Sequence, residues 1–85
     1  MNTYRLKSYK VNVNDIQIVY SLIFQNSLYS CECYKEGYIR DDNNYSLVHN
    51  ITEDEGEAQE FFDTIVKRCV YPVHIEDIVQ DYFYY

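Results

Sequence analysis

Apolar residues occupy every second position from Ile16 through Ile18, Tyr20 and Leu22 to Phe24, the clearest period-2 run in the chain. Strand side chains point to opposite faces in turn, so this run predicts a central strand with one buried face. Thr3 to Val11 is β-prone and predicts an edge strand, with Tyr4 and Leu6 on one face and Arg5, Lys7 and Tyr9 on the other. Asn12-Val13-Asn14-Asp15 marks the turn between them, and Gln25-Asn26-Ser27 a hairpin loop after the central strand. Leu28 to Lys35 returns as a third strand, with Tyr29, Cys31 and Cys33 on one face and Leu28, Ser30, Glu32 and Tyr34 on the other. Tyr38-Ile39, between Glu36-Gly37 and the polar run at Asp41-Asp42-Asn43-Asn44, either extends that strand or forms a short piece of its own. Tyr45, Leu47, His49 and Ile51 alternate as a fourth.

From Thr52 the period changes to that of a helix. Ala58, Phe61, Phe62, Ile65, Val66 and Cys69 recur at helical spacing, and Thr52 with Glu55 has the form of a capping box. The acids lie near the N-terminus of this segment and Lys67-Arg68 in its last turn, as the helix dipole favours. Gly56 weakens its first turns, and Tyr71-Pro72 ends it. A second helix follows from about His74, with Ile75, Ile78, Val79, Tyr82 and Phe83 on one side and Glu76, Asp77, Gln80 and Asp81 on the other. The expected fold is α+β: a single domain over residues 1–85 in ββββαα order, with an antiparallel three- to four-stranded meander over 3–51 and helices over 52–70 and 74–84 packed on one face.

Ile51-Thr52-Glu53-Asp54-Glu55, Phe62 to Cys69, and Val73-His74-Ile75-Glu76-Asp77-Ile78-Val79-Gln80-Asp81-Tyr82-Phe83 together resemble a family of short uncharacterised proteins of low-GC Gram-positive bacteria. In that family a small sheet precedes a helix, a proline-histidine step and a final acidic-apolar helix. Here Val73 stands between Pro72 and His74. The resemblance spans roughly the last forty residues and implies a fold, with no functional residues to carry over.

At 85 residues the chain has room for one core, and 47 % hydrophobic content with eleven Tyr and four Phe is that of a globular domain. One Ala against many Asn, Ile and Tyr is the bias of an AT-rich genome. Neither a leader-like N-terminus nor an apolar run near ~20 residues is present, and three cysteines, an odd number, fit a reducing cytoplasm better than a disulfide framework. Charge is divided unevenly. Residues 1–40 carry five basic groups and three acids, net +2; residues 41–85 carry eleven acids and two basic groups, net −9, which together give the −7 of the whole chain. Direct nucleic-acid binding through the helices is thereby disfavoured.

Candidate chemistry is sparse. Cys31-x-Cys33, with His49, Cys69 or His74, invites a zinc reading, but zinc knuckles use a C-x₂-C turn, and two cysteines on one strand face are more simply small buried hydrophobes. His74 beside Glu76 and Asp77 reads as a capping or packing residue rather than half of an acid/base pair. Nothing forms a triad, a metal-hydrolase helix or a phosphate loop, so the sequence points away from an enzyme and implies no cofactor and no metal.

Two features point to a protein partner. Glu53, Asp54, Glu55, Glu57, Glu60 and Asp63, extended by Glu76, Asp77, Asp81 and Asp41-Asp42, form an acidic surface whose charge density approaches that of a nucleic acid. The same acids also serve solubility and the helix dipole. Tyr4, Tyr9, Tyr34, Tyr38, Tyr45, Tyr71, Tyr84 and Tyr85 exceed what a small core buries, and exposed tyrosines anchor interfaces. The sequence favours a small acidic inhibitor of a nucleic-acid-handling enzyme, like phage-encoded anti-CRISPR proteins. The alternative is a cytoplasmic adaptor that uses helix and tyrosine surfaces such as Tyr84 and Tyr85.

Overall fold

Two tight turns set the first three strands. Asn14 and Asp15 both have positive φ, as do Asn26 and Ser27, which is the type I′ geometry that matches the right-handed twist of flanking strands. In the computed structural model, which describes residues 3–37 and 44–83, these turns join β1 (Thr3–Val13) to β2 (Ile16–Gln25) and β2 to β3 (Leu28–Lys35). β4 (Tyr45–Thr52) completes an antiparallel sheet in the order β1-β2-β3-β4. Helices α1 (Glu55–Lys67) and α2 (Pro72–Phe83) follow, so the ββββαα order expected from the periodicity is the observed one. Tyr38-Ile39 and Asp41-Asp42 lie outside the described residues, as do Tyr84 and Tyr85.

Both helices pack on one face of the sheet. Ile18, Tyr20 and Leu22 of β2 and Tyr29, Cys31 and Cys33 of β3 meet Ala58, Phe61, Phe62 and Ile65 of α1 and Ile75 and Val79 of α2. These are the alternating and helical stripes legible in the sequence. Burying a side chain of Phe61 or Phe62 size contributes about 1.5–3 kcal/mol, and neither helix would persist at this length without that contact.

Two strands depart from simple alternation. In β1 the register shifts between Arg5 and Lys7, which inserts Leu6 as an extra residue and turns the following side chains over. Tyr9 therefore lies on the helix side, 5.8 Å from the Phe62 ring, and Lys7 reaches Asp63 there. The expected grouping of Arg5, Lys7 and Tyr9 on one face is corrected accordingly: Arg5 contacts Glu32 and Ser21 on the opposite face. In β4 the register shifts where Tyr29 and Cys31 meet Thr52 and Val48, with Asn50 at φ 56°. The expected face of Tyr45, Leu47, His49 and Ile51 is thus split. Tyr45 and Leu47 pair with Tyr34 and Glu32, while Ile51 is buried in the core and His49 is exposed.

Helix boundaries also differ from expectation. α1 begins after Asp54, whose carboxylate accepts the Glu57 N–H at 2.8 Å; Thr52 ends β4 and its hydroxyl accepts the Asp54 N–H. The cap is therefore Asp54 rather than Thr52, because the strand's hydrogen bonding holds Thr52 until the chain has turned. A Cβ on Gly56 would lie 3.3 Å from the capping oxygen, so the glycine leaves the Asp54 side chain its room. Pro72 opens α2 instead of preceding it, since a missing N–H costs nothing in the first turn.

α1 ends in a Schellman motif, with Val70 N–H bonded to the Ile65 carbonyl and Cys69 N–H to that of Val66. The left-handed position, usually glycine, is Cys69 at φ 53°. The Val70 carbonyl beyond it accepts the Tyr20 hydroxyl at 2.7 Å and the Cys33 thiol at 3.8 Å. Two stability outcomes follow, both measurable by urea unfolding. Cys69→Gly relieves the left-handed strain and raises stability by about 0.5–1 kcal/mol. Tyr20→Phe leaves Val70 with only a weak sulfur donor and lowers stability by about 1–3 kcal/mol.

Candidate interaction surface

The outer face of α1 carries the acids singled out in the sequence, and Glu53, Asp54, Glu55, Glu57, Glu60 and Asp63 are all exposed. Their local work differs. Asp54 caps the helix, Glu57 accepts from the Thr52 hydroxyl at 3.2 Å, Glu55 accepts from the Gln59 amide, and Asp63 lies 3.7 Å from the Lys7 ammonium. Glu60 sits beside Tyr82 of α2, whose hydroxyl is pushed above its usual range by desolvation and by the Glu60 carboxylate. The structure thus brings Glu57, Glu60 and Asp63 into one row and adds Tyr82 at its flank. Asp77 and Asp81 are exposed on α2, away from its buried Ile75 and Val79.

Beside the two helices lie two adjoining shallow depressions. One, of about 440 Å³, is lined by Val13, Cys69, Tyr71 and His74, and the other, of about 220 Å³, by Thr64, Asp81 and Tyr82; Arg68 and Ile78 belong to both. Arg68 and Asp81 line the same part without coming within ion-pair distance of each other. The sequence placed Tyr82 on an apolar stripe, yet it is 40 % exposed, because α2 rests most closely on β4 and its last turn passes the edge of Phe61. Among the other tyrosines, Tyr4 and Tyr9 are exposed, Tyr34, Tyr45 and Tyr71 are half-buried, and Tyr20 and Tyr29 are in the core.

A polar cluster on the helix-free face of the sheet escaped the sequence reading. Glu32 is buried at its centre, 3.3 Å from the Arg5 guanidinium and accepting the Tyr45 hydroxyl at 2.7 Å. Arg5 also donates to Ser21, which lies within 3.3 Å of Ser8. A buried carboxylate persists only when paired and hydrogen-bonded, and here both conditions are met. The available signal was Ser21 and Glu32 facing away from the core at the middle of the two interior strands, where they are direct cross-strand partners.

Cys31 and Cys33 are fully buried in the core. Desolvation raises both thiols, Cys33 from 9.0 to about 12 with a further push from Glu32, so both remain neutral in the physiological range. As free thiols in the core they pack as small hydrophobes. His49 and His74 are exposed, and among the described residues no three His, Cys, Asp or Glu side chains gather into a set that would hold a metal ion. Among the same residues no helix is long and apolar enough to cross a membrane.

The chain belongs to a protein family of unknown function (DUF6514), whose model matches residues 1–84. No curated protein and no solved structure matches it.

The raised groups make stability fall at alkaline pH. Tyr45 is held at about 12, against an ordinary 10.0, by burial and by its bond to Glu32, and Cys33 is held at about 12 as well. Above about pH 9 the unfolded chain releases protons that the folded chain retains, so unfolding free energy falls with rising pH. Stability contributed by these groups is fully present below pH 9 and is lost progressively from there to about pH 12. Urea midpoints taken across that range check the decline, and Tyr45→Phe shifts its upper portion.

Proposed function

We propose that the protein is a non-catalytic protein-binding module that presents the outer face of α1 to a basic partner, in the manner of a nucleic-acid mimic. The observation that carries this reading is the exposed run Glu57, Glu60 and Asp63, spaced i, i+3 and i+6, which winds by about 60° per step across the outer side of α1. At 1.5 Å per residue the row repeats a negative charge about every 4.5 Å, close to the phosphate spacing of about 3.4 Å along one strand of a duplex. The bonds that engage these acids are surface bonds worth a few tenths of a kcal/mol, which a cationic groove displaces at little cost. The target class is a protein whose groove handles nucleic acid, and the outcome of binding is exclusion of its substrate.

A second reading, an adaptor that meets its partner through an aromatic surface, draws on exposed Tyr82 beside the interhelix depression. Salt separates the two, since charge contacts are screened beyond a Debye length, about 8 Å at physiological ionic strength and shorter as salt rises, whereas aromatic burial is not.

The test is capture from lysate of the source organism by the immobilised full chain. Mimicry predicts a captured protein that elutes steeply with salt, is displaced by duplex DNA, and is lost from the combined Glu57→Gln, Glu60→Gln, Asp63→Asn variant. Equal capture by that variant removes the mimic reading. Loss on Tyr82→Ala, with little response to salt, supports the adaptor instead.

A further inference from the structure

β1 forms one edge of the sheet, with β2 as its partner and nothing hydrogen-bonded on its outer side among the described residues. At eleven residues it is about twice the average strand length, and it carries Tyr4, Leu6 and Tyr9, each 46–53 % exposed. The opposite edge, β4, is the strand against which α2 packs most closely. A long, apolar, open edge is a template for another strand, and proteins normally guard such an edge with lysine. β1 has its cations, but each is tied to a carboxylate of its own chain. Arg5 lies 3.3 Å from Glu32, Lys7 3.7 Å from Asp63 and Lys10 3.2 Å from Glu36. The guard is therefore neutralised, and the edge is a strip of near-zero local charge on a chain of net charge −7.

We propose that this edge pairs antiparallel with β1 of a second copy, forming a two-fold symmetric dimer with one continuous sheet. Charge selects the occupant. A basic partner is drawn to the acidic helices, whereas a second copy, repelled there, meets balanced charge along β1. The regular stretch from Lys7 to Val13 also supplies a register. Cross-strand neighbours must share a face, so the two-fold passes through a residue that faces its own twin. With the axis at Lys7 or Lys10, lysine opposes lysine. With the axis at Tyr9, the two Tyr9 rings meet, Lys7 faces Val11 of the second copy, and Lys10 faces Ser8 of the second copy. That register combines an aromatic pair with no like-charge pair, as stable antiparallel pairing requires.

Sedimentation equilibrium of the full chain across the micromolar range tests the proposal, with far-UV circular dichroism confirming the fold of each variant. The expected wild-type species has twice the 10.3 kDa chain mass. Ser8 is exposed, its hydroxyl lies 3.3 Å from that of Ser21, and it faces Lys10 twice in the dimer. Ser8→Asp tightens the dissociation constant about fivefold, and Ser8→Lys weakens it by a similar factor. Tyr9→Lys, which sets lysine against lysine on the axis, yields monomer. A wild-type chain that stays monomeric throughout the range overturns the proposal. So does a dimer whose dissociation constant is the same in both Ser8 variants.

Discussion

The Tyr20 hydroxyl lies 2.7 Å from the Val70 carbonyl oxygen, and this bond couples the middle of the sheet to the turn between the helices. Tyr20 is fully buried on β2, and Val70 is the residue at which α1's Schellman motif closes. The bond solves two problems at once. A buried phenol must find an acceptor, and a carbonyl next to a helix end must find a donor, each on pain of about 1–3 kcal/mol. Because β2 is interior to the sheet and α2 starts two residues after Val70, the bond also fixes where the second helix sets out from. The path of α2, and with it the depression around Arg68 and Ile78, follows from that anchor.

The parts of the fold that the sequence made legible are those governed by one rule at a time. Alternation from Ile16 to Phe24 and at Tyr29, Cys31 and Cys33 predicted core faces that the structure retains, and the helical stripe from Ala58 to Ile65 is the buried one. Alternation failed where a single extra residue changes every later side chain. Leu6 in β1 and Asn50 in β4 each reverse a face, and neither is a glycine or proline that would announce an irregularity. Cys69 is a similar case, a non-glycine in the left-handed position of a helix C-terminus, so the expected end of α1 lay beyond its actual one at Lys67.

The candidate surface was legible as charge but not as allocation. Which acids lie outside follows from helical spacing, whereas which of them cap, pair or remain unengaged depends on the neighbours that β1 and Thr52 supply. Lys7 reaches Asp63 only because the Leu6 irregularity turns it to the helix side. The Glu32 cluster was hidden for a different reason. Its members come from four separate segments, and only the pairing of β1, β2, β3 and β4 brings Arg5, Ser21, Glu32 and Tyr45 together.

Helix electrostatics help separate acids that serve the fold from acids that do not. Glu55 and Glu57 occupy the first turn of α1 beside the Asp54 cap, where the dipole favours them by about 0.3–1 kcal/mol, whereas Glu60 and Asp63 lie beyond that turn and gain little from it. α2 is built the other way round. Its first turn holds no acid and its last turn no base, while Asp81 lies two residues from its end, where the dipole disfavours a carboxylate. Asp81 also shares the wall of the interhelix depression with Arg68 without pairing to it. Asp81 is thus placed against its own helix dipole and has no ion pair among the described residues. Asp81, with Tyr82 beside it, therefore extends the exposed acidic surface of Glu60 and Asp63 instead of serving the stability of α2.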